Sequence, residues 1–311
     1  MELHYGIPEG YQVPAGALAV DYDLRRLAGV TGPKRCAELA DLEGTFDPIL
    51  MNVLPYTPSA QLSLDFAAAA TALTAGGVFE VVVHDRPDVA KRLHKQLHKT
   101  FAEIGEHRGE LRRFTCREPI VQARSDVDRH FEYYDKPARR KLKFSARPGL
   151  FSSDAIDPGT QLLMDAVTIE AGKRVLDLGC GYGAMGVVAA ARGGLVTMLD
   201  VDVRAIAAAQ RNLSDNELTG EVRLADGTHD VPEHTFDAAL SNLPTHAGSP
   251  ALRAICSRLA GALRPGGYLA VVIREQLNYE PWLRPLGTLS ELARARGYKV
   301  LKVVSPTVVG S

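Results

Sequence analysis

Cysteine is scarce in this sequence: Cys36, Cys116, Cys180 and Cys256 are the only four. They lie far apart and show neither the paired spacings of a zinc site nor a disulfide framework. Free thiols in a reducing compartment are expected, and no bound metal. Long apolar runs are missing as well. No stretch reaches the ~18–20 residues that a membrane-crossing helix needs. The first twenty residues lack the basic start and apolar core of a secretory signal. The expectation is a cytoplasmic monomer without a membrane anchor. Tryptophan occurs once, yet 46% of the 311 residues are hydrophobic. That is enough for two domains with cores of their own.

Strong net charge is also absent, the formal balance being −1. The distribution is uneven, however. Residues 91–150 hold 16 Lys and Arg against 8 Asp and Glu, so this stretch is basic within a chain that is acidic elsewhere. Such a segment suits an anionic partner, and it also suits a solvated surface.

The chain contains an internal echo. Residues 46–83 and 236–273, aligned without a gap at an offset of 190, share 13 of 38 residues. Phe46 and Phe236, Asp47 and Asp237, Asn52 and Asn242, and the pairs Gly76-Gly77 and Gly266-Gly267 coincide. Each copy reads as strand, loop, helix, Gly-Gly turn, buried strand. Upstream of residue 46 no strand ends in an acid followed by spaced glycines. The first half therefore reads as the same kind of unit without a ligand loop.

Residues 84–125 are expected to be helical and basic. Residues 126–160 read as a basic junction, with a short hairpin at 144–152 and a helix at 160–168. Strands are then expected near 173–178, 195–200, 220–225, 236–241, 267–274 and 299–305. Helices are expected near 183–192, 203–214, 249–263 and 287–296. This alternation predicts an α/β fold with a parallel sheet covered on both faces. A final antiparallel strand would have to come from 306–311.

The chemistry concentrates at strand ends. Arg174-Val175-Leu176-Asp177-Leu178-Gly179-Cys180-Gly181-Tyr182-Gly183 is a strand running through glycines into a helix. The glycines allow a tight turn and close approach of a ligand to backbone. A dinucleotide site would place pyrophosphate here. Asp177, just before the first glycine, would repel it and suits a cationic group instead. Asp200 ends the next strand 23 residues later, near the ~20-residue interval at which an acid accepts ribose hydroxyls. Val201 follows it. Asp226-Gly227 ends the third strand, where the acid can accept from an adenine amino group. A nicotinamide enzyme is the competing reading within this fold, and the acid before the glycines disfavours it.

The loop Val175-Leu176-Asp177-Leu178-Gly179-Cys180-Gly181-Tyr182-Gly183-Ala184-Met185-Gly186, with Asp200 and Asp226, resembles the class I S-adenosylmethionine-dependent methyltransferases. The resemblance implies a Rossmann-like fold and S-adenosylmethionine as cofactor. It implies Asp177, Gly179, Gly181, Gly183, Asp200, Val201, Asp226, Gly227 and Asn242 as its contacts. The stretch Ser241-Asn242-Leu243-Pro244-Thr245-His246-Ala247-Gly248 resembles the Asn-Pro-Pro-aromatic loop of amino-group methyltransferases, with Leu243 and Thr245 as departures. There an Asn carbonyl and a backbone carbonyl accept the N–H groups of the target amine and aim its lone pair at the methyl.

The segment from Arg147 to Leu163 is similar to one in the two-domain small-subunit ribosomal RNA guanine-N2 methyltransferases. That family pairs a catalytic domain with a degenerate methyltransferase-like one. The resemblance implies residues 1–125 as the degenerate domain, 126–160 as the junction and 161–311 as the catalytic domain. Asn242, Pro244 and His246 are the implied catalytic residues. Arg139, Arg140, Lys141 and Lys143, beside Phe131, Tyr133 and Tyr134, are the candidate RNA contacts. Two other functions compete: methylation of a small-molecule or protein amine, and a non-catalytic RNA-binding assembly factor.

Overall fold

The computed structural model describes residues 1–8, 11–54, 57–120, 128–227, 231–243 and 249–307. They form two compact units, Met1–Asp128 and Arg129–Ser311. The first holds strands β1 (Leu3–Tyr5), β2 (Leu18–Asp21), β3 (Lys34–Cys36), β4 (Ile49–Asn52), β5 (Phe79–His84), β6 (Phe101–His107) and β7 (Leu111–Pro119). Its helices are α1 (Leu24–Leu27), α2 (Ser59–Ala72) and α3 (Pro87–Leu97). The sheet order is β3-β2-β1-β4-β5-β7-β6. The first five strands are parallel, and β7 runs antiparallel to both neighbours.

The second unit opens with a hairpin, β8 (Arg129–Asp135) and β9 (Arg140–Ala146), and helix α4 (Pro158–Ala166). It continues through β10 (Arg174–Leu178), α5 (Ala184–Ala191), β11 (Leu195–Asp200), α6 (Val203–Asp215), β12 (Glu221–Leu224) and β13 (Phe236–Asn242). It closes with α7 (Ser249–Ala262), β14 (Leu263–Arg274), α8 (Glu280–Leu283), β15 (Thr288–Ala295) and β16 (Tyr298–Val304). The order β12-β11-β10-β13-β14-β16-β15 repeats that of the first unit strand for strand. Strand order reverses direction between β10 and β13, and a ligand crevice forms outside the carboxyl ends of the strands at such a point. The inner strands are apolar because both faces are covered: Val175, Leu176, Met198, Leu199, Ala239 and Leu240 are all buried. Among the described residues no helix is long and apolar enough to cross a membrane.

Three expected elements differ. Only Pro87–Leu97 of the basic stretch 84–125 is helical; β6 and β7 follow as a hairpin. Arg112, Phe114 and Cys116 alternate inward with exposed Leu111 and Arg113, the period of a strand. Residues 287–296, rich in helix formers, form the edge strand β15 instead. Arg296 and Gly297, both at positive φ (54° and 77°), close a two-residue hairpin to β16, and pairing overrides propensity. The antiparallel strand is thus β16, between β14 and β15; residues 308–311 lie outside the described residues. The hairpin expected at 144–152 is instead β8–β9, turning between Asp135 and Arg140.

Of the stretch 126–160 read as a junction, residues 129–160 belong to the second unit. Leu142, Phe144 and Ala146 enter the same core as α5 and α6. Asn212 of α6 and Asn216, which caps its C-terminus, take up the backbone edge of β9. Asn212 accepts the Ser145 N–H at 2.8 Å and donates to the Ser145 carbonyl at 3.0 Å. Asn216 does the same for Lys143 at 2.9 and 2.7 Å. Each carboxamide stands in for a neighbouring strand, so no β9 amide is buried unpaired at these positions.

Candidate active site

The strand-end acids gather along one sheet edge. β12, β11, β10 and β13 are consecutive neighbours, so Asp226, Asp200, Asp177 and Asn242 follow one another across the crevice. Asp177 is fully buried, and its Oδ2 accepts the Gly186 N–H at 2.8 Å. That bond ties β10 to the first turn of α5. Its Oδ1 is buried with no partner among the described residues. Burial, only partly offset by the Gly186 bond, pushes its carboxyl up to about 7. Asp200 is half-buried. Its Oδ2 accepts the Gly181 N–H at 2.8 Å and its Oδ1 the Asp202 N–H at 3.0 Å. Burial raises its pKa too, opposed by these backbone donors, with the Val201 N–H among them. Asp226 is exposed, and Gly227 after it has φ 73°.

The glycines divide the work. Gly179 and Gly181 have φ of 71° and 55°, and a Cβ on either would meet nothing within 4 Å. Their open side is where a ligand can lie against the backbone. Gly183 faces protein: a Cβ there would come within 3.1 Å of the Ala209 Cβ. A Cβ on Gly186 would collide with the Met198 sulfur. These last two glycines permit close packing of α5 against β11 and α6. The arrangement fits the S-adenosylmethionine expected from the sequence: an orphaned buried carboxylate oxygen for a cationic amino group, a bare glycine cradle, and acids at the next two strand ends.

Asn242 closes β13, half-buried. Its Nδ2 donates to Asp157 Oδ2 at 3.2 Å and to Thr160 Oγ1 at 2.9 Å. Pro244 and His246, with Thr245 and Gly248, lie outside the described residues. Leu243 is buried.

Residues 141–302 match the family described as Methyltransferase small domain. The chain belongs to that family. The chain also aligns with proteins named ribosomal RNA small subunit methyltransferase C. One from Haemophilus influenzae is 35% identical over 187 residues, covering 56% of this chain and 56% of the relative. One from Mannheimia succiniciproducens is 34% identical over 215 residues, covering 66% of this chain and 63% of the relative. The chain thus spans less than two thirds of the length of these relatives. A T. thermophilus 16S rRNA N2 methyltransferase, solved with AdoMet and guanosine, superposes with a TM-score of 0.85. That match covers 98% of this chain and 88% of the other at 22% identity, a likeness of fold.

Two features of the methyltransferase fold escaped the sequence reading. The first is Asp21 at the end of β2. It accepts the Ile7 and Asp23 N–H groups at 2.8 and 2.9 Å, as Asp200 accepts those of Gly181 and Asp202. Asp23 caps α1 as Asp202 caps α6. The signal was present as Val20-Asp21-Tyr22-Asp23-Leu24-Arg25 against Leu199-Asp200-Val201-Asp202-Val203-Arg204. It lies outside the gapless echo because the spacing between the segments differs. Asp21 is paired with Arg26, and by sheet register His4, not an acid, stands where β10 has Asp177. The first unit keeps the scaffold of the site without its full set of acids. The second missed feature is Asp157. Asp157-Pro158 is a recognisable helix start, but only the fold brings it to Asn242.

Proposed function

We propose that this chain is an S-adenosylmethionine-dependent methyltransferase that modifies an exocyclic amine of RNA in the cytoplasm, most specifically the N2 amine of a guanine in ribosomal RNA. The observation that carries the reading is Asn242. Its carboxamide ends the strand beside Asp177, with Nδ2 occupied and, among the described residues, no donor on Oδ1, which can accept from an amine. The bound cofactor supplies an electrophilic methyl on its sulfonium. Asp177 Oδ1 would hold its cationic amino end, Asp200 would accept from its ribose, and Asp226 would accept from its adenine amine. Asn242 accepts one N–H of the target amine, aiming its lone pair at the methyl. The methyl would pass to the amine nitrogen while the sulfur keeps the S–C electron pair as a neutral thioether, and the amine would then release a proton to solvent. Pro244 and His246 complete the loop, the former through its neighbouring carbonyl.

RNA as substrate is supported by the outer face of the β8–β9 hairpin. Arg139, Lys141 and Lys143 are exposed there, and Tyr134 is 57% exposed beside them. Basic groups around an exposed ring suit phosphates and an unpaired base. Phe131 and Tyr133 pack inward, so they hold the hairpin down instead of stacking on RNA. Arg140 differs from its neighbours: its guanidinium donates to the Asn216 carbonyl and braces the hairpin on α6.

The test is methylation of ribosomal RNA with labelled cofactor, followed by nucleoside analysis. N2-methylguanosine is the expected product, and Asn242→Ala should slow its formation about 100-fold or more while leaving a measurable residual rate. Label transfer to a free small amine, with none to RNA, would refute the substrate assignment.

A further inference from the structure

Asn242 is gripped by groups that the transfer itself does not require. Asp157, buried at the start of α4, uses Oδ2 to accept the Gly159 and Thr160 N–H groups at 2.9 and 3.0 Å as well as the Asn242 amide. Its Oδ1 accepts the Tyr298 hydroxyl at 3.2 Å. Gly159 makes room for that tyrosine, since a Cβ there would lie 2.7 Å from two ring carbons. The Arg274 guanidinium covers the same ring at 4.3 Å. Every member of this cluster is therefore held on more than one side.

A carboxamide has two nearly isosteric orientations, separated by a soft rotation about χ2. Only one of them offers oxygen to an amine. A carboxylate accepts hydrogen bonds and cannot donate them. Asp157 therefore admits the NH2 edge of Asn242 and rejects its oxygen. Thr160 Oγ1 takes the second N–H. No donor among the described residues reaches Asn242 Oδ1.

Building on the amine-methylation reading, we propose that Asp157 is a positioning residue which, with Thr160 and Tyr298, locks the Asn242 carboxamide so that Oδ1 is the acceptor for the substrate amine. The lock also carries charge. As the N–C bond forms and the S–C bond breaks, positive charge grows on the amine nitrogen until one of its protons leaves for solvent. An amine N–H on Oδ1 and the Nδ2–H on Asp157 lie in series with that charge, and each bond polarises the next.

Asp157→Ala should lower kcat for RNA methylation about 10- to 100-fold, with KM for RNA and the cofactor Kd held within about twofold. Asp157→Asn, which retains an oxygen for the helix cap and for Nδ2 but loses the charge and gains a donor, should recover only part of the loss. Thr160→Val leaves the cap intact and should cost a smaller factor of the same kind. In an Asn242→Ala background, Asp157→Ala should cost nothing more, because its effect runs through Asn242. A readout without turnover is the side-chain amide pair of Asn242 in the 15N-labelled free protein, identified by its loss in Asn242→Ala. It should be protected from exchange in the wild type and lose protection in Asp157→Ala. Full additivity with Asn242→Ala, or an amide pair indifferent to Asp157, would overturn the lock. An amide pair that responds as described in a protein that leaves RNA unmethylated would sustain the lock and sink the functional reading.

Discussion

Asp177 does two jobs with its two oxygens. Oδ2 anchors the start of α5 through Gly186, and Oδ1 lies buried without a partner among the described residues. Burial raises the carboxyl from 3.8 to about 7. Between those values the folded state keeps a proton that the unfolded chain releases, so stability from this group is greatest in acid. It declines as pH rises toward 7 and is level above. Asp177→Asn should flatten that decline in denaturant melts taken across the range. Cofactor affinity should show the opposite trend, rising through neutral pH as the carboxylate forms to meet a cation, and calorimetry on Asp177→Asn should show the rise gone. Asp200→Ala removes both a ribose acceptor and the anchor of the Gly181 N–H. It should weaken cofactor binding by about tenfold or more, since each charged hydrogen bond is worth ~1.5–3 kcal/mol. These acids were legible in the sequence because each ends an apolar strand. Asp157 was not, because 85 residues separate it from Asn242 and nothing local marks the pair.

At the scale of elements, the β8–β9 hairpin shows how a polar segment becomes part of a core. Its inward residues pack with α5 and α6, and Asn212 and Asn216 satisfy its backbone edge. Its turn is pinned by Asp135 and Arg192, both buried, in a paired contact at 2.7 and 3.1 Å. Arg192 also donates to the Met164 and Val167 carbonyls at the end of α4, so one guanidinium joins three elements. Arg192→Ala should destabilise the second unit by about 3–5 kcal/mol, because it leaves the Asp135 charge buried alone. A urea melt of the full chain would register this as an early transition, and an unchanged midpoint would contradict it. The stretch read as a junction because charge and proline suggest a linker, whereas burial of Leu142 and Phe144 depends on α6, some seventy residues later. Likewise β15 read as a helix, since its composition favours one and only pairing with β16 makes it a strand.

Over the whole molecule, two sheets of identical strand order carry one complete set of acids. Calorimetric titration should therefore find one cofactor per chain. Asp21→Asn should leave that binding unchanged, whereas Asp200→Ala weakens it. A second site of comparable affinity would refute the division between the halves. RNA affinity should fall steeply with salt. Replacing Lys141 and Lys143 together by alanine should make that dependence shallower by about two in slope, one for each phosphate no longer neutralised.

The sequence by itself determined the α/β alternation, the internal duplication, the glycine loop and the strand-end acids. Those features rest on short-range rules: period, turn chemistry and the acid that ends each strand. Only the tertiary structure decided which strands lie side by side, that the hairpin completes the second core, and that Asp157 and Thr160 face Asn242. Such contacts come from long-range packing, where burial and hydrogen-bond satisfaction act between residues that no local pattern connects.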